Sequence, residues 1–263
     1  FIKAHSEIKE PTKLLKLLTL GHGESSMADR LDKITVPPGI TVGYRPSIPH
    51  VEVKLFARGN SAISALPDFH AQIKQSLGTG VVSERFPSIA EELHHLLCDS
   101  GKTLSIAESC TGGMLCNQLV QFSGSSAYLQ QGLVTYSNSA KIKVLKVSQQ
   151  TLTEYGAVSW QIAHEMAQAV RKILDSDFAL STTGVAGPEG GSEDKPVGMV
   201  AIALAIKNKT WVQTLQLSHR SRNLMRSMST AIAFDMLRRQ LLNEAPVVDY
   251  PFISRSDLQI IDE

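Results

Sequence analysis

A chain of 263 residues with 43% apolar content can fill a sizeable core and hold one large domain beside a smaller one. Its 26 Lys and Arg against 25 Asp and Glu leave no net field to grip a nucleic-acid backbone or an anionic membrane by charge alone. Cys98, Cys110 and Cys116 make no even disulfide set, and no window reaches the roughly 18 uninterrupted apolar residues of a membrane span, so a reducing, cytoplasmic setting without membrane contact is expected.

In chain order, the opening at Phe1 has neither an initiator methionine nor a charged-then-apolar signal pattern, which reads as a piece of something longer. Residues 1–36 are read as a remnant and linker of a missing N-terminal domain. Their apolar run, Leu14 to Leu20, would belong to an element whose partner lies elsewhere, and a helix is expected through Met27 and Leu31. Pro37-Pro38-Gly39 is turn punctuation, after which Ile40-Thr41-Val42 and Val51 to Leu55 read as short strands and Asp68 to Leu77 as a helix closed by Gly78. This makes residues 37–86 a small α+β unit.

Residues 87–244 read as the main domain. Ser88-Ile89-Ala90-Glu91 is a capping box for a helix over 89–99 that stops before Gly101. Strands are expected over 103–107, 132–136, 178–183, 197–206 and 210–217, and helices over 112–121, 138–145, 160–174 and 222–242. In the helix over 160–174, Ile162, Met166, Ala169, Val170 and Ile173 form one apolar stripe. Strands alternating with helices of this length predict a layered α/β/α fold whose sheet is mixed or mostly parallel. The tail over 245–263 shows no period and is read as a loosely held extension.

Three segments carry chemistry. Ala107-Glu108-Ser109-Cys110-Thr111-Gly112-Gly113 sits where a strand gives way to a helix. There a serine hydroxyl is exposed, free amides around Thr111, Gly112 and Gly113 favour a developing oxyanion, and glycine lets a substrate come close. A serine needs a base, and Tyr136 at a strand end with Lys141 in the first turns of the next helix can reach the same edge. The loop after Thr183 holds Gly184, Gly187, Gly190 and Gly191, whose amides can wrap a phosphate or sugar, although it lacks the Gly-Lys-Ser/Thr of a P-loop. Arg222 and Arg226, four apart, share a helix face and can hold a phosphate. Each segment also has a bland reading: a helix cap, a solvated lysine, structural turns, a basic surface. His94 and Cys98 are four apart but lack further ligands at metal-site spacing, and Cys110 is a rival nucleophile beside Ser109.

Taken together, these segments resemble one family. Ala107 to Gly113, Gly124-Ser125-Ser126, Val134 to Asn138 with Lys141, Tyr155 to Ser159, and Thr183 to Pro188 through Lys195-Pro196-Val197-Gly198 are similar to the C-terminal deamidase domain of the CinA family and its stand-alone relative PncC. The resemblance implies hydrolysis of the nicotinamide mononucleotide carboxamide to nicotinic acid mononucleotide and ammonia, with no cofactor or metal. It makes Ser109 the nucleophile, activated by Lys141 with Tyr136, and lines the site with Asn138, Thr183 and the loop beyond. Arg222 looks like the family's arginine near the start of the last helix, although the family's Gly-Asp before it is Arg220-Ser221 here. Leu20 to Leu31 and Val51 to Leu55 resemble the stretch joining the family's first domain to the deamidase, including a KH-like unit. Only Gly78-Thr79-Gly80 stands where a Gly-x-x-Gly loop would clamp RNA, so that unit is read as a spacer or dimer element. The competing readings are a non-catalytic nucleotide-binding or regulatory domain, and nucleic-acid binding through the KH-like unit.

Overall fold

The computed structural model describes residues 10–217, 221–251 and 253–263, so expectations resting on residues 1–9 and on Arg220 lie outside the described residues. Two units form, Phe1–Ser88 and Ile89–Glu263. Among the described residues no helix is long and apolar enough to cross a membrane.

The first unit runs β1 (Thr12–Leu20), α1 (Glu24–Leu31), β2 (Ile40–Ser47), β3 (His50–Arg58), α2 (Asn60–Leu77) and β4 (Val81–Ser83). Its sheet is antiparallel throughout, in the order β2-β3-β1-β4, which is a split β-α-β arrangement. The apolar run Leu14 to Leu20 is therefore not the remnant of an absent element. It is the inner strand β1, with Leu17 opposite Val53 on β3 and Leu18 opposite Ser83 on β4. The physical reason is alternation: Leu15 and Leu17 turn to the face that Met27, Leu31, Leu66, Phe69 and Ile73 cover, so the partners of this run lie within the unit. Helix α2 starts eight residues before the expected Asp68 and runs through Pro67, because Ala62 and Leu66 continue the buried row of Phe69, Ile73 and Leu77.

The second unit contains α3 (Ile89–Ser100), β5 (Leu104–Glu108), α4 (Met114–Leu119), β6 (Leu129–Val134), α5 (Asn138–Leu145), α6 (Gln149–Tyr155) and α7 (Trp160–Ile173). It continues with β7 (Phe178–Gly184), β8 (Met199–Ile206), β9 (Lys209–Gln216), α8 (Arg222–Leu241) and β10 (Ser254–Asp262). The sheet order is β10-β9-β8-β7-β5-β6. Only β6, β5 and β7 run parallel, and the remaining pairs are antiparallel, so the layered sheet is mixed rather than mostly parallel. Helix α7 packs on one face, and α8 with α3 on the other. Ala201, Ala203 and Ala205 of β8 are fully buried beneath α7, whose Ile162, Ala163, Met166, Ala167 and Val170 fill the same core. Ile173 falls off this stripe and is 48% exposed.

Helix α4 is shorter than expected, because Gly112 and Gly113 take left-handed conformations (φ 59° and 91°) and belong to the turn before it. Helix α6 has no counterpart among the expected elements, although Ser148 caps it by accepting from the Thr151 amide.

The tail is not loose. β10 pairs antiparallel with β9 at the sheet edge, and Ile261 packs against the core. The connection is pinned where the Tyr250 hydroxyl donates to Asp235 Oδ2 at 2.8 Å, beside Arg238 and Arg239, which bind the same carboxylate. Asp235 is fully buried, so removing its charge strands two guanidinium groups in the interior. Asp235→Ala is expected to cost about 3–5 kcal/mol of stability, measured by urea unfolding of the purified chain.

Candidate active site

Strands β5, β6 and β7 all point their C-terminal ends at one edge, the position where open α/β sheets leave a crevice. Ser109 follows β5 and is held there because its amide donates to Thr182 O at 2.9 Å, continuing the pairing to β7. Thr135 follows β6 and donates to Glu108 O at 2.9 Å. These backbone bonds bring the serine segment and the Thr135-Tyr136 segment side by side.

Lys141 enters from α5, a helix capped by the Ser137 hydroxyl accepting from the Ala140 amide. Its side chain is only 1% exposed, and Nζ lies 2.9 Å from Ser109 Oγ, 2.9 Å from Thr135 O and 3.3 Å from Tyr136 O. Desolvation by burial lowers its pKa from the ordinary lysine value. A neutral amine has two N–H donors and one lone pair. Two carbonyls can occupy the donors, which leaves the lone pair for the Ser109 hydroxyl proton.

The rival nucleophile fares differently. Cys110 is buried, and desolvation pushes its thiol up to about 12, which leaves almost no thiolate at neutral pH.

The phenol of Tyr136 does not meet Ser109. It is 58% exposed, and its oxygen accepts from Arg222 Nη2 at 2.6 Å, while Arg222 Nη1 donates to Gly187 O at 2.9 Å. The backbone carbonyl of Tyr136, rather than its hydroxyl, touches Lys141. The expected Tyr136 assistance in activating the serine thus lacks a hydrogen bond among the described residues. The phenol is joined instead to the arginine and, through it, to the glycine-rich wall.

The expectation for the amides beyond Ser109 also changes. The Gly112 amide donates to Ser109 O at 3.0 Å, and the Gly113 amide to Glu108 Oε2 at 2.9 Å. The buried Glu108 carboxylate also accepts from the Leu115 and Cys116 amides at 3.2 and 3.1 Å, so the positive end of α4 is neutralised internally and is not offered to a ligand. Arg226 does not face a phosphate either: Nε and Nη2 both donate to Thr111 O, at 3.0 and 2.7 Å.

A cavity of about 280 Å³ opens over Ser109 and Lys141. Of the residues expected at the site, Ser109, Tyr136, Lys141, Thr183, Gly184, Gly187, Gly190 and Arg222 line it. Thr111, Gly112, Gly113, Asn138 and Gly191 do not: Thr111 is fully buried with its hydroxyl 2.7 Å from that of Thr182, and Asn138 is exposed at the start of α5. Thr183 spends its hydroxyl on Ala157 O at 2.7 Å. Cys110 also lines the cavity, and Ala157, Val158, Val185, Ala186 and Glu189 complete the wall without having been assigned from sequence. Glu108 lies six residues ahead of Met114, the first residue of α4, so its capture of the amides there had no local signal. The Arg226 contact had no local signal.

The model of the CinA C-terminal domain matches residues 87–241. A CinA-like protein of Shewanella frigidimarina is 60% identical over 255 residues, covering 97% of this chain and 60% of that protein. A Shewanella oneidensis protein named nicotinamide-nucleotide amidohydrolase PncC is 56% identical over the same coverage. The chain thus spans about 60% of the length of these curated relatives. Among solved structures, a competence/damage inducible protein from Agrobacterium tumefaciens is similar with a TM-score of 0.56 and 37% identity, over 61% of this chain and 99% of that one. One from Enterobacter asburiae gives 0.56 and 33%, over 58% of this chain and 96% of that one. The match over residues 87–241, with 60% identity to a CinA-like relative across 97% of this chain, establishes that this chain belongs to the CinA family and carries its C-terminal domain.

Proposed function

We propose that the chain is a nicotinamide-nucleotide amidase, hydrolysing the carboxamide of nicotinamide mononucleotide to the acid and ammonia. The observation that carries this reading is the buried amine of Lys141 at 2.9 Å from Ser109 Oγ, at the floor of a cavity large enough for a pyridine ring. A desolvated lysine beside a serine is a base and nucleophile pair, and acyl transfer is the chemistry it serves. The Shewanella oneidensis relative, which bears the amidohydrolase name, supports the substrate class.

In this mechanism neutral Lys141 takes the Ser109 proton as Oγ attacks the carboxamide carbon. The resulting ammonium returns a proton to the amide nitrogen, the C–N bond breaks, and ammonia leaves an acyl-serine. Water then attacks the ester carbonyl, again giving its proton to Lys141, and the Ser109 oxygen recovers a proton as the acid departs. Because the Tyr136 oxygen already accepts from Arg222, its own proton remains to donate to the developing oxyanion, a role the internally used Gly112 and Gly113 amides cannot fill. The three free cysteines suit a reducing compartment, and we assign the enzyme to the cytoplasm, working as a dimer.

Ammonia release from nicotinamide mononucleotide by the purified chain tests the proposal directly, and no release above the buffer rate would defeat it. Arg222 has three N–H groups beyond those given to Gly187 and Tyr136, and these suit the substrate phosphate. Arg222→Ala is expected to raise KM for the nucleotide about 10- to 100-fold, the worth of hydrogen bonds to a charged group. Steady-state rates with nicotinamide riboside, which lacks the phosphate, should show a much smaller change in KM.

A further inference from the structure

We propose that Arg226 is a positioning residue for the Ser109 nucleophile and not a ligand for substrate phosphate, acting with Glu108 as a two-sided clamp on the loop from Ser109 to Gly113. This goes beyond the amidase reading and rests on it only for the identity of the turnover substrate.

The loop that carries the nucleophile has two consecutive left-handed glycines, Gly112 and Gly113, and so has little intrinsic stiffness. Something outside it must fix the Ser109 oxygen at hydrogen-bond distance from Lys141. From one side the Glu108 carboxylate, fully buried, gathers the amides of Gly113, Leu115 and Cys116. From the other side Arg226 forks Nε and Nη2 onto the single carbonyl of Thr111. Its Nη2 also lies 3.6 Å from where a Cβ on Gly112 would sit, so the guanidinium lies against the turn itself. The Thr111 hydroxyl is paired with that of Thr182, which ties the loop to β7 as well.

Both guanidinium nitrogens of that fork are committed to a backbone carbonyl, and Arg226 is absent from the cavity lining, whereas Arg222, one turn earlier, is part of it. The two arginines on one face therefore divide their work. Arg222 spans Tyr136 and Gly187 at the cavity wall, and Arg226 holds the segment behind the nucleophile. The first two turns of α8 act as a bracket across all three chemistry-bearing segments. A displacement of about 1 Å at a reacting group costs roughly 100-fold, so loosening this bracket should show in the chemical step.

The test uses a small fluorophosphonate as well as nicotinamide mononucleotide. In labelling, Ser109 Oγ bonds to phosphorus, its proton passes to Lys141, and fluoride leaves. The reaction needs a primed serine but no nucleotide recognition. Arg226→Lys keeps a positive charge but cannot fork one carbonyl; it and Glu108→Gln should each slow labelling and lower kcat in parallel, roughly 10- to 100-fold, with KM for the nucleotide changed by less than about twofold. A thermal melt confirms that each variant is folded, and if one is not, the other carries the comparison. Unchanged labelling with a raised KM for Arg226→Lys would make this arginine a phosphate ligand and overturn the proposal, as would unchanged labelling with unchanged kcat. A wild-type chain inert to the probe would overturn it too, since no primed serine would exist. If the wild type is labelled but releases no ammonia, the substrate assignment fails while the labelling rates still decide the role of Arg226.

Discussion

Ser109→Ala is expected to abolish ammonia release while leaving the fold intact, with kcat falling on the order of 10⁶-fold, as when a serine nucleophile is removed singly. The reasoning is geometric. Ser109 is the hydroxyl that hydrogen bonds to Lys141, and it lines the cavity. Removing one small oxygen leaves the hydrogen bond from the Ser109 backbone N–H to Thr182 O in place, so thermal stability should hardly change. Cys110→Ala is the matched control. Its thiol, pushed up to about 12, does not supply a thiolate at neutral pH, so this variant should keep most of its turnover. Loss of activity in the cysteine variant together with survival in the serine variant would reverse the assignment.

Lys141→Met should lower kcat by roughly 10³- to 10⁴-fold, at the upper end of what a general base contributes, and should also remove the acid limb of the activity profile. The sign follows from the role. Only the neutral amine can accept the Ser109 proton, so wild-type activity rises with pH as Lys141 loses its proton, and burial moves that loss below the ordinary value of 10.5. Residual activity in the variant should be flat through the same range. Wild-type stability moves in the same direction with pH as activity. Because the folded pKa is lower than the unfolded one, the fold of the wild type is penalised as pH drops from the unfolded value through the folded one, and a methionine side chain, which does not titrate, carries no such penalty. The stability difference between variant and wild type should therefore shift in favour of the variant over that window, and unfolding curves at several pH values would measure it. An acid limb that persists in Lys141→Met would assign the base elsewhere.

Much of the site was readable because its residues are bound to local signals. Ser109 is marked by a strand end and a pair of glycines, and Lys141 lies four residues after Ser137, which caps the helix that presents it. Apart from α6 and β10, the strands and helices of the second unit were readable to within a few residues from period and punctuation. Two of the errors concern partners distant in sequence. Leu14 to Leu20 looked unpartnered until β3 and β4 closed around it, and residues 254–262 showed no convincing period until β9 offered an edge. The Gly112 and Gly113 amides looked free, since nothing in the local sequence says that the first turns back to Ser109 O and the second to the Glu108 carboxylate.

The sequence by itself determined which chemistry is available: a serine at a strand-to-helix turn, a lysine one segment later, a glycine-rich wall, and the family to which that combination belongs. Only the tertiary structure decided how the groups are used. It buried the Lys141 amine against Ser109, turned the Tyr136 phenol to Arg222, and committed Arg226 to the Thr111 carbonyl 115 residues away. The reason is that side-chain type and local period are fixed by neighbouring residues. Desolvation and hydrogen-bond pairing depend instead on which strand ends the sheet brings together, and a single chain does not state that order in advance.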